Sequence, residues 1–345
     1  MNSAAELNLD QTADGIGPVL DVQGLTVELA TAGGWTRIIE DVTFAVKPGT
    51  AVGIVGESGS GKSVTALSVM GLLPQSGSRI VSGSVTLDGE ELLGQPERRL
   101  QDIRGNRMTM IFQEPMSSLN PAFTVGYQIA ELARRHLGAS KREATQMAIE
   151  VLDRVGIPNA KQRKDSYPHE FSGGMCQRVL IAMAILCNPR VLIADEPTTA
   201  LDVTIQAGIL DLLKEMVREL SIGLVLVTHD LGVIADVCDR VAVMYGGQIV
   251  AADDVQGVFA HPTHPYAEGL MVSLPQIGTG SRALATIPGE AVTPDAIPPG
   301  CRFHPRCPFA QERCSIDQPT LRTLHGGAMT RCPRYEELDL KGPAR

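Results

Sequence analysis

Short β-branched runs separated by turn residues open the chain: Val22–Leu29, Val42–Val46 and then Thr50–Val55, the last nearly continuous in apolar character. An unbroken apolar run of that length suits a strand covered on both faces, so a parallel core sheet is expected. A glycine-rich loop follows, then a helix predicted from about Gly61 to Leu73. Between about Pro115 and Phe171 the period changes. Ile129, Leu132, Leu137, Ala144, Met147, Ala148, Val151 and Leu152 recur at three- and four-residue intervals, with Arg, Lys and Glu between them, as amphipathic helices require. Strand-like runs return at Val191–Ala194, Leu224–Thr228 and Arg240–Tyr245. This order of strands and helices predicts an α/β domain over 19–262 with a helical insertion at about 115–171. After about Pro262 the periodicity fades and Pro275, Pro288, Pro294, Pro298, Pro299, Pro305 and Pro308 leave little room for long helices. Residues 263–345 therefore read as a small, loop-rich module that needs something besides a large core to hold it.

Composition changes this picture little. At 345 residues, 43% hydrophobic and 20% charged, the chain is an ordinary globular one with room for a substantial core. Its net charge of -9 argues against a nucleic-acid backbone as the main ligand. No run of apolar residues is long enough to cross a membrane; the most apolar stretch, Val179–Leu186, lies beside Arg178 and reads as a buried helix. Residues 1–18 carry Glu6, Asp10 and Asp14 and lack the features of a signal peptide, so a disordered tail and a cytoplasmic chain are expected. Any membrane role must then come through partner chains.

The chemistry begins at Gly56-Glu-Ser-Gly-Ser-Gly-Lys62-Ser63, a complete P-loop pattern set between an apolar strand and a helix. Its glycines let the backbone wrap a phosphate with N–H groups pointing inward, and the helix N-terminus adds positive charge. Gly56, Ser58, Gly59, Ser60, Gly61, Lys62, Ser63 and Val64 are the candidate ATP-cradling residues, with Lys62 bridging the outer phosphates and the Ser63 hydroxyl on Mg2+. The apolar strand Val191–Ala194 delivers Asp195 and Glu196 at its C-terminal edge, where a sheet places ligand-binding groups. Asp195 would hold the magnesium, and Glu196 would accept a proton from the attacking water.

Three further segments narrow this reading. Phe171-Ser172-Gly173-Gly174-Met175, followed by Gln177-Arg178 and an apolar helix, resembles the signature motif of ABC ATPases. Gln113, after Met110-Ile111-Phe112, resembles their Q-loop glutamine; Ala200-Leu201-Asp202 resembles the D-loop, and Thr228-His229-Asp230 the switch histidine. The resemblance spans about residues 20–255 with the motifs in the family's order. It implies an α/β, P-loop ABC-type nucleotide-binding domain that works as a dimer, with two ATP molecules sandwiched head to tail. Ser172, Gly173 and Gly174 would then meet the γ-phosphate on the other domain, while Asp202 approaches the same interface. His229 would orient the attacking water, and Gln113 would reach magnesium and sense the transmembrane partner. The departures are Phe171 for leucine, Met175 for glutamine, and Cys176 where arginine is common, the last read as a packed small residue. An adenine-stacking aromatic is not evident: Leu29 falls near the expected place, and Trp35 is several residues late and reads as a turn tryptophan.

Phe112–Pro121, His261-Pro-Thr-His264-Pro265-Tyr266 and the tail Pro298-Pro-Gly-Cys301-Arg-Phe-His-Pro-Arg-Cys307-Pro are similar to the ATPases of oligopeptide and dipeptide importers. That resemblance implies a subunit at the cytoplasmic face of the cell membrane, with two integral membrane permeases, a second and related ATPase chain, and an extracytoplasmic solute-binding protein. A coupling helix from a permease would dock near Gln113–Phe123. Importers of nickel, glutathione and other small solutes share the architecture. The rival readings are a soluble ABC ATPase acting on ribosomes or nucleic acid, which would carry tandem domains or long coiled coils, and an exporter ATPase. Some peptide-importer ATPases carry a [4Fe–4S] cluster in this tail, and Cys301, Cys307, Cys314 and Cys332 supply the four thiolates it takes. Zinc and free or disulfide-bonded thiols are the alternatives; His304 and His325 could substitute as ligands but read first as surface or packing residues.

Overall fold

The computed structural model describes residues 17–199, 201–273 and 286–342. The tail expected over 1–18 lies outside them except for Gly17 and Pro18, as do Ala200 and Pro275. In chain order the elements begin with β1 (Leu20–Thr31), β2 (Gly34–Val46), β3 (Ala51–Val55), α1 (Lys62–Val69), β4 (Ser78–Leu87), β5 (Glu90–Glu91), α2 (Glu97–Ile103) and β6 (Met108–Ile111). A helical stretch follows: α3 (Pro115–Ser118), α4 (Val125–Leu137), α5 (Lys141–Arg154), α6 (Ala160–Arg163) and α7 (Gly173–Ile185). Then come β7 (Val191–Asp195), α8 (Val203–Leu220), β8 (Gly223–Thr228), α9 (Leu231–Val237), β9 (Arg240–Tyr245) and β10 (Gln248–Asp254). The last are α10 (Val255–Ala260), α11 (Pro265–Val272), β11 (Arg322–Thr323) and β12 (Met329–Thr330).

Packing divides the chain into two compact units. The first comprises Met1–Ala45, Val52–Glu91 and Thr228–Arg345 so far as they are described; the second comprises Val46–Ala51 and Leu92–Val227.

In the first unit β2, β1, β4 and β5 form one sheet in that order, and β11, β12, β10, β9 and β3 are neighbours in another. β3 lies parallel to β9, Val52 opposite Arg240 and Val55 opposite Val243. β9 and β10 are antiparallel with Tyr245 opposite Gln248, so Gly246 and Gly247 alone make the turn. Their φ values of 53° and 82° are those a two-residue hairpin turn demands of both central residues. The core here gathers Val55, Ile234, Val243, Tyr245, Tyr266, Met271 and Phe303.

The proline-rich tail is expected to need something besides a large core of its own to hold it. It shares the core of this unit: Phe303 is 2% exposed, with ring centroids 5.2 Å from Tyr245 and 5.3 Å from Tyr266. Burying one phenylalanine is worth about 2 kcal/mol, and each aromatic pair adds about 1 kcal/mol. Backbone pairing extends the attachment, since β12 lies antiparallel to β10 with Thr330 opposite Ala251.

In the second unit β8, β7 and β6 are neighbours, all parallel, with Val191 opposite Gly223 and Met108. All of β7 and β8 is buried, as their continuous apolar runs require. α4 packs on α5; Ile129, Ala144, Ala148, Val151 and Leu152 face inward, but Leu137 is exposed beside the left-handed Gly138 that ends α4. Ser140 and Glu143 close a reciprocal capping box at the start of α5. The helix predicted over Gly61–Leu73 stops at Val69, with Gly71 left-handed shortly after it. No helix among the described residues is long and apolar enough to cross a membrane.

Candidate nucleotide site

Gly56–Ser63 leaves β3 and enters α1 in the first unit. Gly56 is obligatory on packing grounds, because a Cβ there would stand 2.1 Å from the Met244 carbonyl oxygen. Gly59 and Gly61 take φ of 78° and 103°, values that L side chains rarely adopt. Among the described residues no side chain caps α1. Its first-turn N–H groups are the kind that bind an anion. Lys62 is only 6% exposed, and its Nζ folds back to donate to the Gly56 carbonyl (2.8 Å) and the Glu57 carbonyl (3.0 Å). Ser58, Gly59 and Ser63 are exposed, Val64 is half-buried and Ser60 is buried, its carbonyl accepting from the Gly247 N–H at 2.8 Å.

The acidic group belongs to the second unit. Asp195 ends β7 at 6% exposed, and Glu196 follows in the left-handed region, φ 46°. A non-glycine residue there stores strain and is held by its neighbours. The Glu196 N–H donates to the Val227 carbonyl at 2.8 Å, and its carboxylate accepts from the Thr199 hydroxyl at 2.8 Å and the Gln113 amide at 3.0 Å. Gln113 and Glu196, 83 residues apart, are thus brought together. Thr199 was not anticipated from the sequence; its position after Pro197 carries no local signal. In this unit too, Ser172 caps α7 by accepting from the Met175 N–H, Gly173 and Gly174 form the first turn, and Asp202 precedes α8 without a side-chain cap. His229 lies in the first unit, exposed at the end of β8, next to Asp230, which caps α9.

A family model described as "ABC transporter" matches residues 39–199, and one described as "Oligopeptide/dipeptide transporter, C-terminal region" matches 252–314. The oligopeptide transport ATP-binding protein AppD of Bacillus subtilis (strain 168) is 50% identical over 299 residues, 87% of this chain and 91% of its own length. The chain belongs to the ABC transporter family. A Brucella abortus (strain 2308) protein named for peptide import and ATP binding is also 50% identical, over 92% of this chain and 95% of its own. Among solved structures, a dimeric ATP-binding cassette in a post-hydrolysis state, bound to ADP and Pi, matches with TM-score 0.61 at 28% identity. That match covers 68% of this chain and 98% of the cassette. The mixed α/β fold is therefore that of the ABC ATPase cassettes, and the enzyme is an ATPase.

Within this ABC ATPase the departures from the family's motifs have local explanations. Cys176 is fully buried, its thiol 3.5 Å from the Pro168 carbonyl, and burial raises its pKa. Phe171 is buried with the Arg163 guanidinium over its ring at 5.6 Å. Trp35 starts β2 rather than a free loop, and its face is covered by the Arg79 guanidinium at 4.4 Å, an ordinary cation–π pair.

The cysteines of the tail gather. Cys301, Cys307, Cys314 and Cys332 all line one small pocket with His264, His304, Phe303 and Phe309, and all four are free thiols. Burial, with the neighbouring thiols adding to it, pushes Cys301 and Cys307 up to about 11. Burial likewise lowers His264 to about 3, and its Nδ1 accepts from the Tyr266 N–H. The His304 ring bonds the Cys301 carbonyl at 2.9 Å, and His325 is no part of the pocket lining. Among the described residues no three His, Cys, Asp or Glu side chains form a site for a metal ion.

Proposed function

We propose that this chain binds and hydrolyses ATP to power the import of peptides through membrane-embedded partner subunits. The observation that carries the reading is the near-full-length identity to proteins named for peptide import, which extends through the tail as well as the cassette. The ATPase itself is the family's activity; oligopeptides or dipeptides as cargo, and the roles below, are our reading.

Gly56, Ser58–Val64 and the α1 N-terminus hold the phosphates, with Lys62 across the outer two. Ser63, Asp195 and Gln113 are the residues that would hold magnesium, since carboxylate, hydroxyl and amide oxygens are the donors a hard cation takes. When bound, the ion neutralises charge on the phosphates. Glu196 takes the proton from the attacking water, and Gln113 and Thr199 fix its carboxylate for that step. His229 orients the water. Ser172, Gly173, Gly174 and Asp202 serve the nucleotide of a second ATPase subunit, since each motif occurs once in this chain and a similar solved cassette is described as dimeric. That second subunit is a related chain.

Phe112, Met116, Phe123 and Tyr127 support the permease contact. All four are more than 40% exposed, and Phe123 stacks on Tyr127 with centroids 4.9 Å apart. An apolar surface of this kind beside the Gln113 segment suits a helix from a membrane subunit at the cytoplasmic face.

The four tail cysteines hold a [4Fe–4S] cluster. Their convergence on one pocket as free thiols favours this. The group would supply structure, stapling the tail. Anaerobic purification with iron and sulfide analysis is expected to find four of each per chain; one zinc and no sulfide would overturn it. Purification from membranes tests the assembly: two permeases and a second ATPase should accompany the chain, and ribosomes or nucleic acid in their place would refute the importer.

A further inference from the structure

Glu57 is the second residue of the P-loop, and every polar group it carries is engaged. Its carbonyl accepts from Lys62 Nζ at 3.0 Å and from the Ser60 N–H at 3.2 Å. Its own N–H donates to the Tyr266 hydroxyl at 2.9 Å, from α11. Its carboxylate takes both arms of the Arg306 guanidinium, 2.8 Å to Oε2 and 3.1 Å to Oε1, across 249 residues of sequence. The Arg306 side chain is only 7% exposed, and its remaining donors are used as well: Nε reaches the Pro288 carbonyl at 2.9 Å and Nη1 the Tyr245 hydroxyl at 3.4 Å. A desolvated guanidinium in a two-pronged match to one carboxylate is a rigid coupling rather than a loose surface pair.

A second route reaches the same loop. Arg302 donates to the Gly246 carbonyl at the β9–β10 turn, and the next N–H of that turn, from Gly247, donates to the Ser60 carbonyl at 2.8 Å. The tail therefore touches the P-loop at Glu57 directly and at Ser60 through one glycine turn. Both points flank Gly59, where a Cβ would meet nothing within 4 Å.

We propose that Arg306 is a positioning residue for ATP: through Glu57 it sets the P-loop turn and the carbonyls that hold Lys62, so that the C-terminal module governs nucleotide affinity. The inference rests on the ATPase reading of the P-loop. Nothing in local sequence pattern links Arg306 to Glu57; the link exists only because the tail docks on the core of this unit.

The test is a double-mutant cycle in the assembled importer, with Arg306→Ala, Glu57→Gln and the double variant, read as KM and kcat for ATP and as equilibrium binding of a fluorescent ATP analogue. Each single variant is expected to raise KM about tenfold, a loss of about 1.4 kcal/mol, with kcat within about twofold. The double variant should match the singles instead of multiplying them, because one interaction is being removed twice. Arg306→Lys, which keeps the charge and loses the two-pronged geometry, should fall between, near threefold, and serves if the alanine variant does not fold. Multiplying effects, or a lowered melting temperature with KM unchanged in any folded variant, would overturn the proposal. A wild-type complex unable to bind the analogue would instead defeat the ATPase reading, so the two failures are distinguishable.

Discussion

The loop Gly56–Ser63 and the loop Phe171–Gly174 both lead glycines into the first turn of a helix, yet they close that turn differently. At α7 the chain caps itself, the Ser172 hydroxyl accepting from the Met175 N–H at 3.4 Å. At α1 no side chain does so among the described residues, the N-cap is left-handed Gly61, and the nearest cation, Lys62, is folded back onto carbonyls. Their glycines differ as well. A Cβ on Gly56 would strike backbone, the Met244 carbonyl at 2.1 Å, whereas one on Gly174 would strike only the Ile205 Cγ2, at 2.5 Å. The first loop is packed closely at Gly56 and starts its helix without a side-chain cap. The second is a self-sufficient helix start whose glycines allow close approach. Two stretches that look alike as glycine-rich sequence are thus distinguished by what satisfies their N–H groups.

Substitutions should separate the two loops, with the largest effect at the cradle. Lys62→Ala is expected to weaken ATP binding by more than about 100-fold, roughly 3 kcal/mol, in equilibrium titration. No variant in the Ser172 loop should approach that in binding, and a Lys62→Ala protein within about threefold of wild type would break the comparison. Next, Gly56→Ala should weaken ATP binding by at least about tenfold because the main chain must shift. Gly59→Ala, which meets open space and suffers only backbone strain of about 1 kcal/mol, should cost about fivefold at most; equal losses at both positions would mean that packing does not set the cradle. A smaller change is expected from Gly174→Ala: ATP binding intact, hydrolysis by the assembled complex down a few-fold, and recovery on adding Ile205→Ala, which removes the colliding methyl. Failure of Ile205→Ala to restore hydrolysis would place the need for glycine outside this contact. The smallest is Ser172→Ala, which should lower stability by about 1 kcal/mol through the lost cap and the melting temperature by about 2 °C, with ATP binding to the isolated chain's own P-loop unaltered.

Much of this was legible in sequence because it is local. The β3 and β7 runs, the glycine spacing ahead of Lys62 and the acid pair after Ala194 are short-range patterns with one structural solution. α8 also carries a local signal, because Ile209, Leu210, Leu213, Met216 and Val217 mark its buried face at helical spacing. The way the tail is held was not legible for a physical reason. Prolines report where helices cannot run; they do not report that Phe303 will enter a core built by Tyr245 and Tyr266. Contacts such as Glu57 with Arg306, or Glu196 with Gln113, join residues far apart in sequence, and no periodicity encodes such pairs.

The most direct test of the whole account is peptide uptake by lipid vesicles carrying the assembled importer, with ATP supplied on the side of this chain and hydrolysis measured in the same samples. Wild type should accumulate peptide in step with ATP hydrolysis, while Glu196→Gln binds ATP and does neither. Uptake and hydrolysis undiminished by Glu196→Gln would contradict it.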